Sequence, residues 1–149
     1  MDEVNIKGLS LKSINKIFHP KGDIYHAIKK SDSDYHGFGE AYFSTINSRQ
    51  IKGWNKHKKM TLNLFVSFGE VAFVIYDDRK DSNTKGKFFD VRLSPKNYRR
   101  LTVPPSLWVA FKGIGKDLNL ILNIANLEHD PEEIEKLELD KIDYNWNSI

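Results

Sequence analysis

The chain has 149 residues, 40% of them hydrophobic and 29% charged, the size and balance of one globular domain that buries its own core. It has no cysteine, which excludes disulfides, thiolate metal sites and a cysteine nucleophile. The formal net charge is +3, with basic residues spread along the chain and one cluster at 52–59; this suits a small anionic ligand or weak nucleic-acid binding, though such clusters are usually solvated faces.

Residues 1–12 carry early acids and no long apolar run, so no signal peptide is read there. No apolar stretch reaches membrane-spanning length, and with the missing cysteines this predicts a reducing, cytoplasmic setting. Strands are expected at 23–28, 38–46 and 50–54. Residues 60–67 alternate: Leu62, Leu64 and Val66 face one way, Thr61, Asn63 and Phe65 the other, the period of a half-buried strand. A turn at Phe68-Gly69-Glu70 then leads to the β-branched and aromatic run 71–76, read as the partner strand of a hairpin.

The polar stretch 77–86 is a loop, and 87–93 is another strand. Ser94-Pro95 opens a turn, with one short helical turn expected through Tyr98. Residues 101–103 run up to Pro104-Pro105, a pair that does not fit inside a central strand. Two further strands, 107–111 and 118–125, are joined through Gly113-Ile114-Gly115. Asp130-Pro131-Glu132-Glu133 has a capping acid, proline at the first helical position and an acid three residues after the cap. It predicts a short helix from 131 to about 137. The stretch 140–146 is expected to pack back on the body. Many short strands with few helices make this an all-β sandwich or barrel, one domain over 1–149. Periodicity alone does not choose between an immunoglobulin-like sandwich and a jelly roll.

The run Asp77-Asp78-Arg79-Lys80-Asp81-Ser82-Asn83-Thr84-Lys85-Gly86-Lys87-Phe88 is followed by Leu93-Ser94-Pro95-Lys96-Asn97 and by Arg100-Leu101-Thr102-Val103-Pro104. Upstream stand Gly39-Glu40-Ala41-Tyr42-Phe43-Ser44 and Ile51-Lys52-Gly53-Trp54-Asn55-Lys56-His57. In this order and spacing they resemble the motifs of the dTDP-4-dehydrorhamnose 3,5-epimerase family. The resemblance implies an RmlC-like cupin jelly roll, a homodimer, a nucleotide-linked 4-keto-hexose as substrate, and no metal or organic cofactor. It also implies a histidine that removes a proton next to the ketone and a tyrosine that supplies one on the other face. Such chemistry needs a base near working pH, a group that stabilises the enolate, and a carboxylate to orient the base.

Three positions depart from the family pattern. Its base falls on Asn55, which is no general base. His57 lies two residues on, on the same side of a strand, and matches the second histidine of the H-x-H of the related nucleotide-sugar 3,4-ketoisomerases. The family tyrosine falls near Leu122, and the histidine after its proline is replaced within the apolar run 107–111.

Each candidate has a plainer reading. His57, among Lys56, Lys58 and Lys59, is either a cavity base or an exposed loop histidine. Lys52 and Lys59 either contact a diphosphate or oxyanion or are solvated. Glu40, Tyr42 and Ser44 share one strand face, which lines a cavity or faces water. Asp77 with Arg79 reads as a pair fixing its loop. His26, His36 and His129 read as structural, a metal site is not expected, and Trp54, Trp108 and Trp146 read as core or rim aromatics. The leading expectation is a sugar-nucleotide epimerase or isomerase in surface-polysaccharide synthesis, with His57 as base, Lys52 or Lys59 stabilising charge, and Asn55, Glu40, Tyr42 and Ser44 binding substrate. The rivals are a non-catalytic sugar-nucleotide or carbohydrate binding cupin and, more weakly, a basic nucleic-acid-associated protein.

Overall fold

The computed structural model describes residues 3–149. The chain forms β1 (Ser10–Ser13), β2 (Lys16–Ile17), β3 (Ile24–Tyr25), β4 (Glu40–Thr45), β5 (Ile51–His57) and β6 (Leu62–Phe68). β7 (Val71–Tyr76), β8 (Phe88–Leu93), β9 (Arg99–Val103), β10 (Trp108–Gly113), β11 (Leu120–Ala125) and β12 (Ile134–Lys136) follow. One sheet has the order β1-β9-β6-β11-β4 and the other β12-β5-β10-β7-β8, while β2 and β3 make a separate hairpin. The two five-stranded sheets face each other without closing into a continuous barrel.

Between the sheets the inward residues of β6 (Leu62, Leu64, Val66) meet those of β7 (Val71, Phe73, Ile75), β8 (Val91, Leu93) and β9 (Leu101, Val103). Burying each such side chain stabilises the fold by roughly 1.5–3 kcal/mol. A second cluster lies on the outer face of the other sheet. There Trp54, Val74, Trp108 and Ala110 are covered by Ile142, Tyr144, Trp146 and Ile149 from the last segment, with the Trp54 and Trp146 rings 5.7 Å apart. All three tryptophans thus serve packing, and the expected return of 140–146 onto the body holds.

Several expectations change. β6 and β7 belong to different sheets, so they are not hairpin partners; the chain crosses from one layer to the other at Gly69. β6 is central and buried on both faces, with Asn63 and Phe65 each 1% exposed, rather than half-buried. Residues 95–98 form no helical turn; Asn97 closes a tight turn by donating to the Ser94 carbonyl. The short C-terminal helix over 131–137 is absent. Asp130 does cap a turn, accepting from the Glu132 N–H, but only Pro131–Glu133 is helical, as a single 3-10 turn. The chain then extends as β12, because the open edge of β5 offers backbone partners that a longer helix would forgo. β1 and β2 had no sequence signal, being short and mostly exposed.

The 77–86 loop is fixed as its motif suggested. The buried Asp77 carboxylate accepts from the Arg79 N–H, Nε and Nη2 and from the Ser82 and Thr84 hydroxyls, at 2.6–3.0 Å. The hydrogen bond from Arg79 outweighs burial and holds the Asp77 carboxyl far below its ordinary range.

Candidate active site

Between them the sheets enclose a cavity of about 230 Å³. Its floor is apolar: Leu62, Leu64, Phe73, Val109, Phe111 and Ile121. Its polar lining is Tyr42 and Ser44 from β4, Lys52, Asn55 and His57 from β5, and Asn123 from β11. Strict alternation along β5 would turn Lys52 away from Asn55 and His57. A bulge in the β5–β10 register prevents this, since Val109 pairs with Asn55 while Ala110 pairs with Gly53. The extra residue, Trp54, points its ring to the outer cluster, and three polar side chains then face the cavity. Gly53 has φ +142, and a Cβ there would lie 2.4 Å from the Ala110 Cβ, so the close approach of β5 to β10 needs glycine.

His57 ends β5 with its side chain 12% exposed, and its Nδ1 hydrogen-bonds the Glu133 carboxylate. Glu133 arrives from the Pro131–Glu133 turn just before β12 pairs with β5, Ile134 lying opposite His57. Its other oxygen accepts from the Lys59 and Met60 N–H groups at 3.0 and 3.2 Å. Burial works to raise the Glu133 carboxyl, but the His57 hydrogen bond and these two backbone donors outweigh it and leave it lowered. An ionised carboxylate only accepts, so the proton in this pair sits on Nδ1 and Nε2 is the basic nitrogen. The Glu133 carboxylate thus fixes the tautomer and orientation of the His57 ring, with Nε2 left as its acceptor nitrogen.

On the facing sheet Tyr42 sits opposite Asn123 in the β4–β11 ladder, and the Asn123 Nδ2 donates to the Tyr42 hydroxyl at 3.1 Å. Lys52 is exposed at the mouth, where its Nζ donates to the Thr45 carbonyl at 2.8 Å. Of the expected residues, His57, Lys52, Asn55, Tyr42 and Ser44 come together at this cavity. Two do not. The Lys59 side chain is exposed, and only its backbone N–H reaches the site, through Glu133. Glu40 shares the face of Tyr42 and Ser44 but stands at the end of β4, opposite Ala125 and beyond the lining. Leu122 faces away, between the lining residues Ile121 and Asn123.

Sequence reasoning missed Glu133 and Asn123. Glu133 looked like a capping acid, and nothing in the sequence separated it from Glu132. Asn123 left a signal, a polar residue inside the apolar run of β11. Among the described residues no group of three or more His, Asp or Glu side chains is placed to hold a metal ion, and no helix is long and apolar enough to cross a membrane.

Two facing antiparallel sheets with a polar-rimmed cavity between them define a β-sandwich that holds its site between the layers. No family model matches the chain. It is 31% identical to a dTDP sugar isomerase from Desulfovibrio desulfuricans G20, with a TM-score of 0.92 over 97% of this chain and 94% of that one. The chain belongs to this family of RmlC-like sugar-nucleotide isomerases and epimerases. The dTDP-4-dehydrorhamnose 3,5-epimerase of Sulfolobus tokodaii shares the fold at 20% identity, TM-score 0.83, covering 97% of this chain and 85% of its own. By sequence the chain is 25% identical over 131 residues to a probable low-salt glycan biosynthesis epimerase of Haloferax volcanii, covering 87% of this chain and 84% of that protein. It is 23% identical over 147 residues to the spore coat polysaccharide biosynthesis protein SpsL of Bacillus subtilis, covering 96% and 97%.

Proposed function

We propose that the protein is a nucleotide-sugar epimerase or isomerase that acts on a dTDP-linked or similar 4-keto-6-deoxy-hexose in surface-polysaccharide synthesis. The observation that carries this reading is His57, backed by buried Glu133, facing a cavity with an apolar floor and a polar rim. His57 Nε2 takes the proton from the carbon next to the ketone. The C–H electron pair becomes the enolate double bond, and the negative charge gathers on the ketone oxygen. Lys52 swings from the Thr45 carbonyl to stabilise that oxygen or the diphosphate. Asn55, Tyr42 and Ser44 hydrogen-bond the sugar, and the apolar floor takes the unsubstituted C6 methyl. The step needs no metal or organic cofactor, so exhaustive chelation leaves turnover unchanged.

The test is incubation with a panel of nucleotide-linked 4-keto-sugars in deuterated water, followed by mass spectrometry. Wild type incorporates deuterium next to the ketone with at least one of them, and His57→Ala loses incorporation by about 10²-fold or more. No incorporation with any member of the panel rejects the reading. The second reading, a non-catalytic sugar-nucleotide or carbohydrate binding cupin, is favoured by Asn55 standing where the family base falls; it predicts saturable binding with neither exchange nor turnover. We further propose a homodimer working in the cytoplasm, its mass checked by light scattering at micromolar concentration.

A further inference from the structure

At the end of the β6–β11 ladder two asparagines replace the regular pairing. The Asn63 N–H donates to Asn123 Oδ1 at 3.2 Å, and Asn63 Nδ2 donates to the Ile124 carbonyl at 3.0 Å. The Thr102 hydroxyl donates to Asn63 Oδ1 at 2.9 Å. Asn63, Thr102 and Asn123 are 1%, 4% and 2% exposed. Buried polar groups in the middle of a sheet cost stability unless every one is satisfied, so a chain of them needs a reason.

The bonds carry a direction. A backbone N–H only donates, so the atom of Asn123 that faces Asn63 is its oxygen. Its nitrogen therefore faces Tyr42 and donates to the hydroxyl oxygen. Tyr42 Oη is thus an acceptor toward Asn123, and its own proton is free to be given into the cavity. The same amide donor steadies the oxygen once that proton has left. Had the amide been reversed, the hydroxyl would donate to Asn123 and point away from the cavity.

We infer that Tyr42 supplies the second proton, and that Asn123 is the positioning residue that makes it a donor. This rests on the proposed proton-abstraction chemistry. His57 and Tyr42 enter the cavity from different sheets, so a sugar ring between them presents one face to each. His57 removes the C–H proton on one face. The enolate carbon then takes the Tyr42 hydroxyl proton on the other, and the ketone re-forms. Tyr42 is left as a phenolate held by Asn123, and the proton on His57 returns to it through solvent. The sum is inversion at one carbon with no net redox change. The tyrosine that the family places near Leu122 is thereby replaced from the neighbouring strand β4.

The test uses Tyr42→Phe, Asn123→Asp and the double variant, with deuterium incorporation and product formation measured separately. Asn123→Asp keeps the shape and still accepts from the Asn63 N–H, but it turns the donor beside Tyr42 into an acceptor. Tyr42→Phe should lower inverted product about 10²-fold or more beyond whatever it takes from His57-dependent incorporation. Asn123→Asp should lower inverted product by a similar factor with little change in KM, and add nothing in the Tyr42→Phe background. Thermal melting of each variant shows whether the fold is kept, and Asn123→Ser, which restores a donor, should recover part of the loss. Inverted product at the wild-type rate from Tyr42→Phe would overturn the inference while leaving the proposed function standing. So would loss of incorporation in equal proportion to product, or an equal Asn123→Asp penalty in both backgrounds. A wild type that neither exchanges nor turns over would instead remove the proposed function and this inference with it.

Discussion

Glu133 does two jobs that a single substitution separates. As an acceptor it ties the chain at Lys59 and Met60, and as an anion it holds the proton of the His57 ring on Nδ1. Glu133→Gln keeps an oxygen for the backbone donors and removes the charge, so turnover should fall by about 10²–10⁴-fold with a modest change in melting temperature. Kinetics and melting measured on one preparation check this. Asp77 makes the opposite case, with a structural carboxylate far from the cavity. Its pKa is lowered on folding, so its contribution is fully present above the ordinary value of 3.8 and is lost as pH falls below that value toward the folded one. Asp77→Asn should cost about 2–3 kcal/mol at neutral pH, the low side of breaking a buried pair because Arg79 is partly solvated. The loss should shrink in acid, which melting curves of the two proteins between pH 7 and about pH 3 would show.

At the level of elements, the bulge in β5 does the most for the site. Gly53→Ala drives a methyl group into Ala110, and the strand must slide or unbulge to relieve it. The expected cost is about 1–3 kcal/mol, together with loss of cavity alignment for Lys52 and Asn55, so turnover should fall more than stability does. A melting curve that barely moves beside a large drop in kcat/KM is the expected pair of results. The strands from β4 to β11 were legible because their apolar residues recur with period two or in short buried runs. The placing of Asn55 and His57 on one side followed from the same period. Lys52 joined them only through the bulge, and a bulge leaves no mark in a single sequence beyond a glycine. The 131–137 stretch shows the limit from the other side. Asp130 and Pro131 are honest start signals, but they specify only how a turn begins. How far it runs was decided by the vacant edge of β5, which lies 74 or more residues away in sequence and which no local pattern reports.

At the level of the whole molecule, the layers share one core, and the final segment roofs the outer face of the second sheet. We therefore expect a single cooperative unfolding transition by fluorescence and circular dichroism alike. Trp146→Ala should lower stability by about 3 kcal/mol by unroofing Trp54, and the shift of the denaturant midpoint measures it. The family motifs between Gly39 and Pro104 fall in the body of the fold, which is why architecture was legible as a whole, whereas the assignment of β6 and β7 to separate layers was not. His57 and Glu133 are 76 residues apart, and the carboxylate comes in on the turn just before the last strand to join either sheet. A ribosome therefore completes the cavity lining, which ends at Asn123, before it adds Glu133. A nascent or clipped chain that ends short of Glu133 carries every residue of the cavity lining and a histidine without its carboxylate. On the proposed function, such a chain would bind a sugar nucleotide without converting it.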